Sequence, residues 1–197
     1  MGSVAPTHLR VLSPPATGAT PCRWLWLGDA LADLGVVLYV YAQRESRTWL
    51  APQAPWPARR ELVGLVAAER VVASVAVDSD GPHECLRFLD TDGDTLASLW
   101  LLPDSDFLAW ETLLAALPGD AIVRERGRRE APMRTSSARV LRLQRARVGG
   151  VDLLDAQTPA RLSVLGLACA RRFALAEHAT LEPLPHDCCC QRAAALA

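Results

Sequence analysis

One stretch decides the fold of this chain: residues 85–117 read CLRFLDTDGDTLASLWLLPDSDFLAWETLLAAL. Its first five residues predict a strand, and Asp92 followed by Gly93 supplies the positive φ that a tight hairpin turn requires. Residues 95–102 predict the returning strand. Apolar residues then recur at helical spacing until Pro118 ends the pattern. The stretch therefore predicts a β-hairpin followed by an amphipathic helix.

Upstream of this stretch, the sequence predicts a flexible segment, a helix and several strands. Prolines scattered through residues 1–22 predict a flexible lead-in. Apolar residues three and four positions apart predict a helix over residues 23–34. Four further segments have the length and composition of strands: residues 36–41, 47–50, 62–66 and 71–77. Valines and small residues alternate through the last of these, which predicts a strand covered on both faces.

The composition changes after residue 120. Nine arginines and only two glutamates occur between residues 124 and 147, so residues 121–150 predict an Arg-rich linker or solvated segment. No aromatic residue is interleaved with these arginines, and we therefore expect no specific nucleic-acid partner. Two later segments have strand composition: residues 162–168 and 173–181. Residues 151–197 then either complete the domain of residues 23–120 or form a partial second repeat with a flexible tail.

Composition and charge exclude several classes of protein. Half of the residues are hydrophobic and the net charge is −1, which predicts a folded chain without a general attraction to nucleic acid or anionic membrane. No apolar run approaches the roughly 18–20 residues of a membrane helix. The N-terminal residues lack the charged segment, apolar run and cleavage site of an export signal, so we expect a cytoplasmic protein with reduced cysteines. The sequence has no hydrolytic triad, Walker loop or dinucleotide fingerprint, and we assign no catalytic residue.

A family resemblance rests on four segments in a fixed order. These segments are LADLGVV at residues 31–37, VGLV at 63–66, LRFLDTDG at 86–93 and LLPDSD at 101–106. Over about residues 24–118, their order and spacing resemble one repeat of the intracellular haem-utilisation family, which includes haem carriers and hemin-degrading factors. The resemblance implies an α+β fold, with an antiparallel sheet and helices packed on one side. The chain departs from the family at Ala97 and Ser98, where members commonly carry His-Lys.

The resemblance implies haem as the cofactor and suggests residues that could hold it. Phenolate and imidazole both ligate haem iron, so Tyr41, His83 and His178 are alternative axial ligands. Arg44 and Arg87 could bind the propionates through paired hydrogen bonds. Each residue also has a structural interpretation: an aromatic ring on a half-buried strand, a surface histidine or an ion-paired arginine.

The resemblance and the sequence leave several alternatives open. The chain could carry haem in uptake, transport or storage, break it down with a reductant, or be an interaction module that has lost haem. A homodimer through an exposed strand edge is a further expectation. Alternating aspartates at residues 90–94 fit a hairpin turn better than a calcium loop. The run from His186 to Cys190 fits an oxidisable tail better than a zinc site.

Overall fold

The structure is a computed structural model that describes residues 6–12, 22–42, 56–68, 70–78, 81–90, 92–116 and 136–184. Within these ranges the strands are β1 Pro6–Leu12, β2 Gly35–Ala42, β3 Trp56–Pro57, β4 Arg70–Asp78, β5 Gly81–Leu89, β6 Thr95–Ser105, β7 Ser136–Val148, β8 Val151–Gln157 and β9 Ala179–Leu181. The helices are α1 Cys22–Asp33, α2 Val63–Val66, α3 Phe107–Ala116 and α4 Val164–Ala176, and a 3-10 turn spans Arg60–Leu62.

The described strands form one sheet in the order β1-β4-β5-β6-β2-β7-β8-β3, and β9 pairs with the start of β7. Neighbouring strands are antiparallel except for β3 with β8 and β7 with β9. The predicted α+β class with an antiparallel sheet is confirmed. The prediction of a flexible lead-in over residues 1–22 is wrong for β1, which pairs with β4 at the edge of the sheet. Pro6 is the first residue of that edge strand, a position where proline is tolerated.

The hairpin predicted from the sequence is present and is followed by α3. The Asp90 carboxylate accepts hydrogen bonds from the backbone N–H groups of Asp92 (3.0 Å) and Asp94 (2.8 Å). Gly93 has a φ of 86°, which an L-residue with a side chain rarely adopts. α3 then packs on the sheet through Trp110, which is 4% exposed. The Asp90 carboxylate thus shapes the turn.

Side chains of β2 alternate between two buried faces of the sheet. Val37 and Tyr39 belong to a cluster beneath α1, α2 and α3, on what we call the first face. Leu38 and Val40 belong to a second cluster beneath α4, on the second face. Helices therefore cover both faces, whereas the resemblance implies helices on one side. The uninterrupted apolar run of residues 36–41 is typical of a strand that is covered on both faces.

The segment predicted as a strand over residues 62–66 is helical, so that prediction is wrong. Leu62, Leu65 and Val66 are buried at positions i, i+3 and i+4, which is the spacing of a helix. Five apolar residues are too few for the periodicity to separate a strand from a helix.

Gly64 in α2 lies unusually close to the backbone of β6. A Cβ atom at this position would lie 3.1 Å from the Leu96 carbonyl oxygen and 3.3 Å from the Ala97 Cβ. We expect Gly64→Ala to lower the free energy of unfolding by about 1–3 kcal/mol, because a central strand cannot move aside. Gly28→Ala in α1 is the matched control. Its Cβ would meet only the Arg145 side chain at 3.7 Å, so we expect a gain of about 0.5–1 kcal/mol. Denaturant titration of both variants measures the difference, and an increase for both would contradict the close approach.

The strand predicted over residues 162–168 is wrong, because Val164–Ala176 form α4. The strand predicted over residues 173–181 is present only at its end, where Ala179–Leu181 form β9. The Ser163 side chain caps the helix by accepting a hydrogen bond from the Gly166 N–H (2.9 Å). His178 has a φ of 53° in the turn after α4, and β9 is only three residues long. The buried residues of α4 recur three and four positions apart: Gly166, Ala170, Phe173 and Ala174.

β7 occupies residues 136–148 of the segment predicted as an Arg-rich linker, so that prediction is wrong for these residues. β7 pairs with β2, β8 and β9, and buries Ala138, Leu141 and Leu143. Three of its arginines, Arg139, Arg145 and Arg147, pair with carboxylates of other elements, as Arg139 does with Glu61. β7, β8 and β9 belong to the same sheet as the preceding strands.

Some sequence predictions lie outside the described residues. These are the predictions for Arg44, residues 47–50, residues 121–135 and the tail after residue 184. The predicted flexible segment also lies outside the described residues at positions 1–5 and 13–21. Within the described ranges, no helix has the length and apolar composition needed to cross a membrane.

Candidate functional site

Of the singled-out residues that the structure describes, two lie together. His83 lies within β5, not in the turn before it, and Arg87 follows four positions later, so both face the same side of the strand. That side is the second face, beneath α4. His178 lies in the turn after α4 and is exposed, and Tyr41 packs against the first face. Tyr41 and His83 therefore lie on opposite faces of the sheet.

Two aromatic side chains and an imidazole meet between β5, β6 and α4. The Phe173 ring stacks on the Trp100 ring, with centroids 4.9 Å apart and planes inclined by 23°. The His83 ring meets the Phe173 ring edge to face at 5.0 Å. Phe173 reaches the sheet because the other buried residues of α4 are glycine and alanine, which let the helix approach closely. We call the group formed by His83, Arg87, Trp100, Arg172, Phe173 and Glu177 the β5–α4 site.

Arg172 forms a hydrogen bond with the ring nitrogen of His83 that points toward α4. The Arg172 Nη2 atom lies 3.0 Å from the His83 Nε2 atom. A guanidinium has only donors, so Nε2 must accept this hydrogen bond, and the proton of a neutral imidazole is then on Nδ1. The Arg172 guanidinium also lies 5.2 Å from the centre of the Phe173 ring. The nitrogen lone pair that could bind a metal is thus used by a side chain of α4.

Glu177 links the end of α4 to both strands. Its Oε1 atom accepts a hydrogen bond from the Trp100 indole N–H (3.2 Å) and lies 3.6 Å from the Arg87 Nη2 atom. The Arg87 and Glu177 side chains are 20% and 12% exposed, so this ion pair is mostly withdrawn from water. Arg87 thus already has the Glu177 carboxylate as its partner. A propionate-bearing ligand would bring a group of the same kind.

Ser98 adds a buried hydroxyl to the second face. It is 0% exposed, it pairs with Arg87 across β5 and β6, and its neighbour Trp100 belongs to the β5–α4 site. Within the described residues, the Ser98 Oγ atom has no hydrogen-bond partner. Leaving a buried hydroxyl unpaired costs about 1–3 kcal/mol, and a ligand with a polar edge could satisfy it. Ser98 is one of the two residues at the position where haem-utilisation proteins commonly carry His-Lys.

Sequence analysis missed four members of this site: Trp100, Arg172, Phe173 and Glu177. The spacing of Ala170, Phe173, Ala174 and Glu177 fits a helical face, and this signal could have identified α4. No local pattern links β5 to α4, because His83 and Arg172 are 89 positions apart.

The first face carries a separate polar group around two tyrosines, which we call the tyrosine network. The Tyr39 and Tyr41 rings stack with centroids 5.2 Å apart. Tyr39 donates a hydrogen bond to the backbone oxygen of Glu61 (2.6 Å), and Tyr41 donates one to Glu182 Oε1 (3.0 Å). Arg139 bridges the carboxylates of Glu61 (2.6 Å) and Glu182 (2.7 Å). The network joins β2, β7 and the segment after β9.

The tyrosine network keeps both phenols protonated. Burial raises the pKa of Tyr39 well above its ordinary value of 10.0, and the nearby Tyr41 and Glu61 raise it further. Burial also raises the pKa of Tyr41, and its hydrogen bond to Glu182 adds to the effect. An iron ligand must be a phenolate, whereas the Tyr41 hydroxyl is held as a donor to a carboxylate. The surroundings of Tyr41 favour a structural role.

Comparison with known proteins does not assign the chain to a family. No protein-family model and no curated protein matches it. Among solved structures it is similar to holo-PhuS, a heme-binding protein from Pseudomonas aeruginosa, with a TM-score of 0.39 and 17% identity over 66% of this chain. The similarity to apo-PhuS has a TM-score of 0.35 and 15% identity over 62% of this chain. The chain spans about 40% of the length of PhuS.

Proposed function

We propose that this protein binds haem at the β5–α4 site and serves in haem uptake, transport or storage. The observation that carries the proposal is the meeting of an imidazole, two guanidiniums and two stacked aromatic rings on one apolar sheet face. Haem is flat and apolar except along its propionate edge, and its iron needs an axial donor. Among the described candidates, only His83 lies within this group.

Each side chain has a part in this proposal that its chemistry allows. His83 Nε2 would bind the iron once Arg172 releases it, and the propionates would replace Glu177 as partners of Arg87. The stacked rings of Trp100 and Phe173 would pack on the macrocycle. Ser98 would donate a hydrogen bond to a polar edge of the ligand. The bound iron would supply the coordination chemistry, while the protein holds and orients the group.

A hemin titration of the apo-protein tests this function. We expect a saturable, ligand-shifted Soret band that is lost in His83→Ala. His178→Ala and Tyr41→Phe should leave the band unchanged, and His178 is a matched control because it is an exposed histidine two residues after α4. Absence of saturation in the wild-type protein would refute haem binding, and loss of the band only in Tyr41→Phe would refute the assignment to His83.

The same loaded protein distinguishes carriage from haem breakdown. We expect the haem absorbance to remain stable with ascorbate in air, because the protein is proposed to carry haem intact. Progressive bleaching of the Soret band that stops when the reductant is removed would identify a haem-degrading enzyme instead.

A further inference from the structure

We propose that α4 is a detachable lid over the second face of the sheet, and that it keeps the β5–α4 site closed until a flat, apolar ligand displaces it. The identity of that ligand as haem rests on the function proposed above. The lid itself rests on how α4 is attached, on what it covers, and on which of its side chains fill the site.

The apolar attachment of α4 is thin. Three of its four buried residues are glycine or alanine, so Phe173 is the one large side chain that it buries. Several large apolar side chains of α4 point into solvent, with Val164 85%, Leu165 63% and Leu175 76% exposed. By contrast, α1 buries two leucines on the first face, Leu27 and Leu31, and Leu34 is buried directly after it. α4 therefore leaves the sheet with a smaller loss of apolar contact than α1.

Polar contacts fasten the two ends of α4. At its start, the Asp104 carboxylate accepts hydrogen bonds from the Ser163 N–H (2.9 Å) and the Ser163 hydroxyl (2.8 Å). At its end, Glu177 holds Trp100 and Arg87. Hydrogen bonds of this kind exchange readily for bonds to water, because both Asp104 and Ser163 reach the surface. The start of α4 is therefore the point where the lid can be released.

The surface under α4 fits a flat, apolar ligand. It is built from adjacent strands of the sheet centre and includes Leu38, Val40, Leu102 and Val140, all 2% exposed or less. Exposing this surface to water is unfavourable, so the lid stays closed when no ligand is present. A planar aromatic ligand can take over its contacts, as the Phe173 ring does now against Trp100.

Arg172 and Phe173 occupy the groups that the ligand would use. Arg172 holds His83 Nε2, and Phe173 lies against both His83 and Trp100. Because both residues belong to α4, ligand entry and opening of the lid are one event. The closed lid therefore holds the Nε2 atom of the partly exposed imidazole in a hydrogen bond that a metal, a reagent or the ligand must replace.

Native-state hydrogen exchange of the ligand-free protein tests the lid without any haem. We expect the amides of α4 to exchange at least tenfold faster than those of β2 and β6, with little dependence on denaturant. Exchange of α4 only through the global unfolding that exposes β2 would overturn the lid.

Ser163→Ala tests whether releasing one end opens the site. Ser163 contacts Asp104 and caps α4 but does not touch the β5–α4 site, and losing such a cap shifts a local opening equilibrium about fivefold. We expect His83 to react with diethyl pyrocarbonate about fivefold faster in this variant, and hemin to associate faster by a similar factor. Peptide mass spectrometry locates the modified histidine, with the exposed His178 as an internal reference. Thr112→Ala is the control, because it removes an exposed helical hydroxyl that donates within α3.

The outcomes separate the lid from the proposed function. If hemin binds through His83 but Ser163→Ala changes neither the reactivity of His83 nor the association rate, the lid is wrong and haem binding stands. If neither the wild-type protein nor any variant binds hemin while Ser163→Ala still makes His83 more reactive, the proposal of haem binding is wrong and the proposal of a lid is supported. Equal acceleration in Thr112→Ala would show a general loss of stability and would overturn the lid.

Discussion

Phe88→Ala is expected to lower the free energy of unfolding by about 3–5 kcal/mol. Phe88 lies in β5, is 0% exposed and packs in the cluster of the first face. Truncation removes its buried apolar surface and leaves a cavity beneath the helices that cover that face, where the sheet cannot collapse to fill it. Denaturant unfolding followed by tryptophan fluorescence and circular dichroism measures the change.

The control for Phe88→Ala is a truncation of an exposed apolar residue. Leu175 on α4 is 76% exposed, so Leu175→Ala should change the free energy of unfolding by no more than about 0.5 kcal/mol. Phe88→Ala also leaves every member of the β5–α4 site in place. A loss below about 1 kcal/mol for Phe88→Ala would contradict the burial of Phe88 in the cluster of the first face.

The second large effect is on the ionisation of the tyrosines, and it depends on pH. The chain has only two tyrosines, and both belong to the tyrosine network. Burial raises the pKa of both phenols above the ordinary value of 10.0. Near pH 10 we expect the folded protein to show far less tyrosinate absorbance than the same chain in denaturant, where about half of the phenols are ionised.

The same pKa shifts predict how stability changes at alkaline pH. A phenol with a raised pKa in the folded state binds its proton more tightly there, so above pH 10 the unfolded chain carries fewer protons. This contribution to stability is fully present below pH 10 and is lost as the pH rises through the folded pKa. Tyr39→Phe cannot ionise at that position, so its stability should fall less steeply with pH. Equal slopes for the two proteins would contradict a buried, protonated Tyr39.

The elements that sequence analysis predicted correctly are determined by residues that lie close together in the sequence. The hairpin follows from Asp90 and Gly93, because a carboxylate that caps the turn and a residue free to adopt positive φ lie within a few positions of each other. α1 and β2 follow in the same way from a clear helical spacing and a long apolar run. These features do not depend on partners that are distant in the sequence.

The elements that sequence analysis missed depend on distant partners. α4 has few large apolar residues, because alanine at positions 170 and 174 lets it lie close to β6, and this weakens the helical pattern. The arginines of β7 suggested a solvated segment because their partners, such as Glu61 and Asp29, lie far away in the sequence. For the same reason, sequence analysis singled out only two of the six members of the β5–α4 site. His83 and Arg87 share one strand face, whereas Arg172 and Glu177 come from a helix that was not expected.

The position of β7 has a consequence for the order in which the chain can be completed during synthesis. β2 lies at the centre of the sheet, yet one of its two partners is β7, and Ala42 pairs with Ser136. Until the ribosome has released residues 136–148, one edge of β2 is apolar and unpaired. Pairing β2 with β7 closes a long loop, from Ala42 to Ser136, and this step is slow. The nascent chain therefore passes through a stage in which the hairpin of β5 and β6 can form while half of the sheet still lacks its partner. We expect that stage, rather than the finished protein, to need chaperone protection against aggregation.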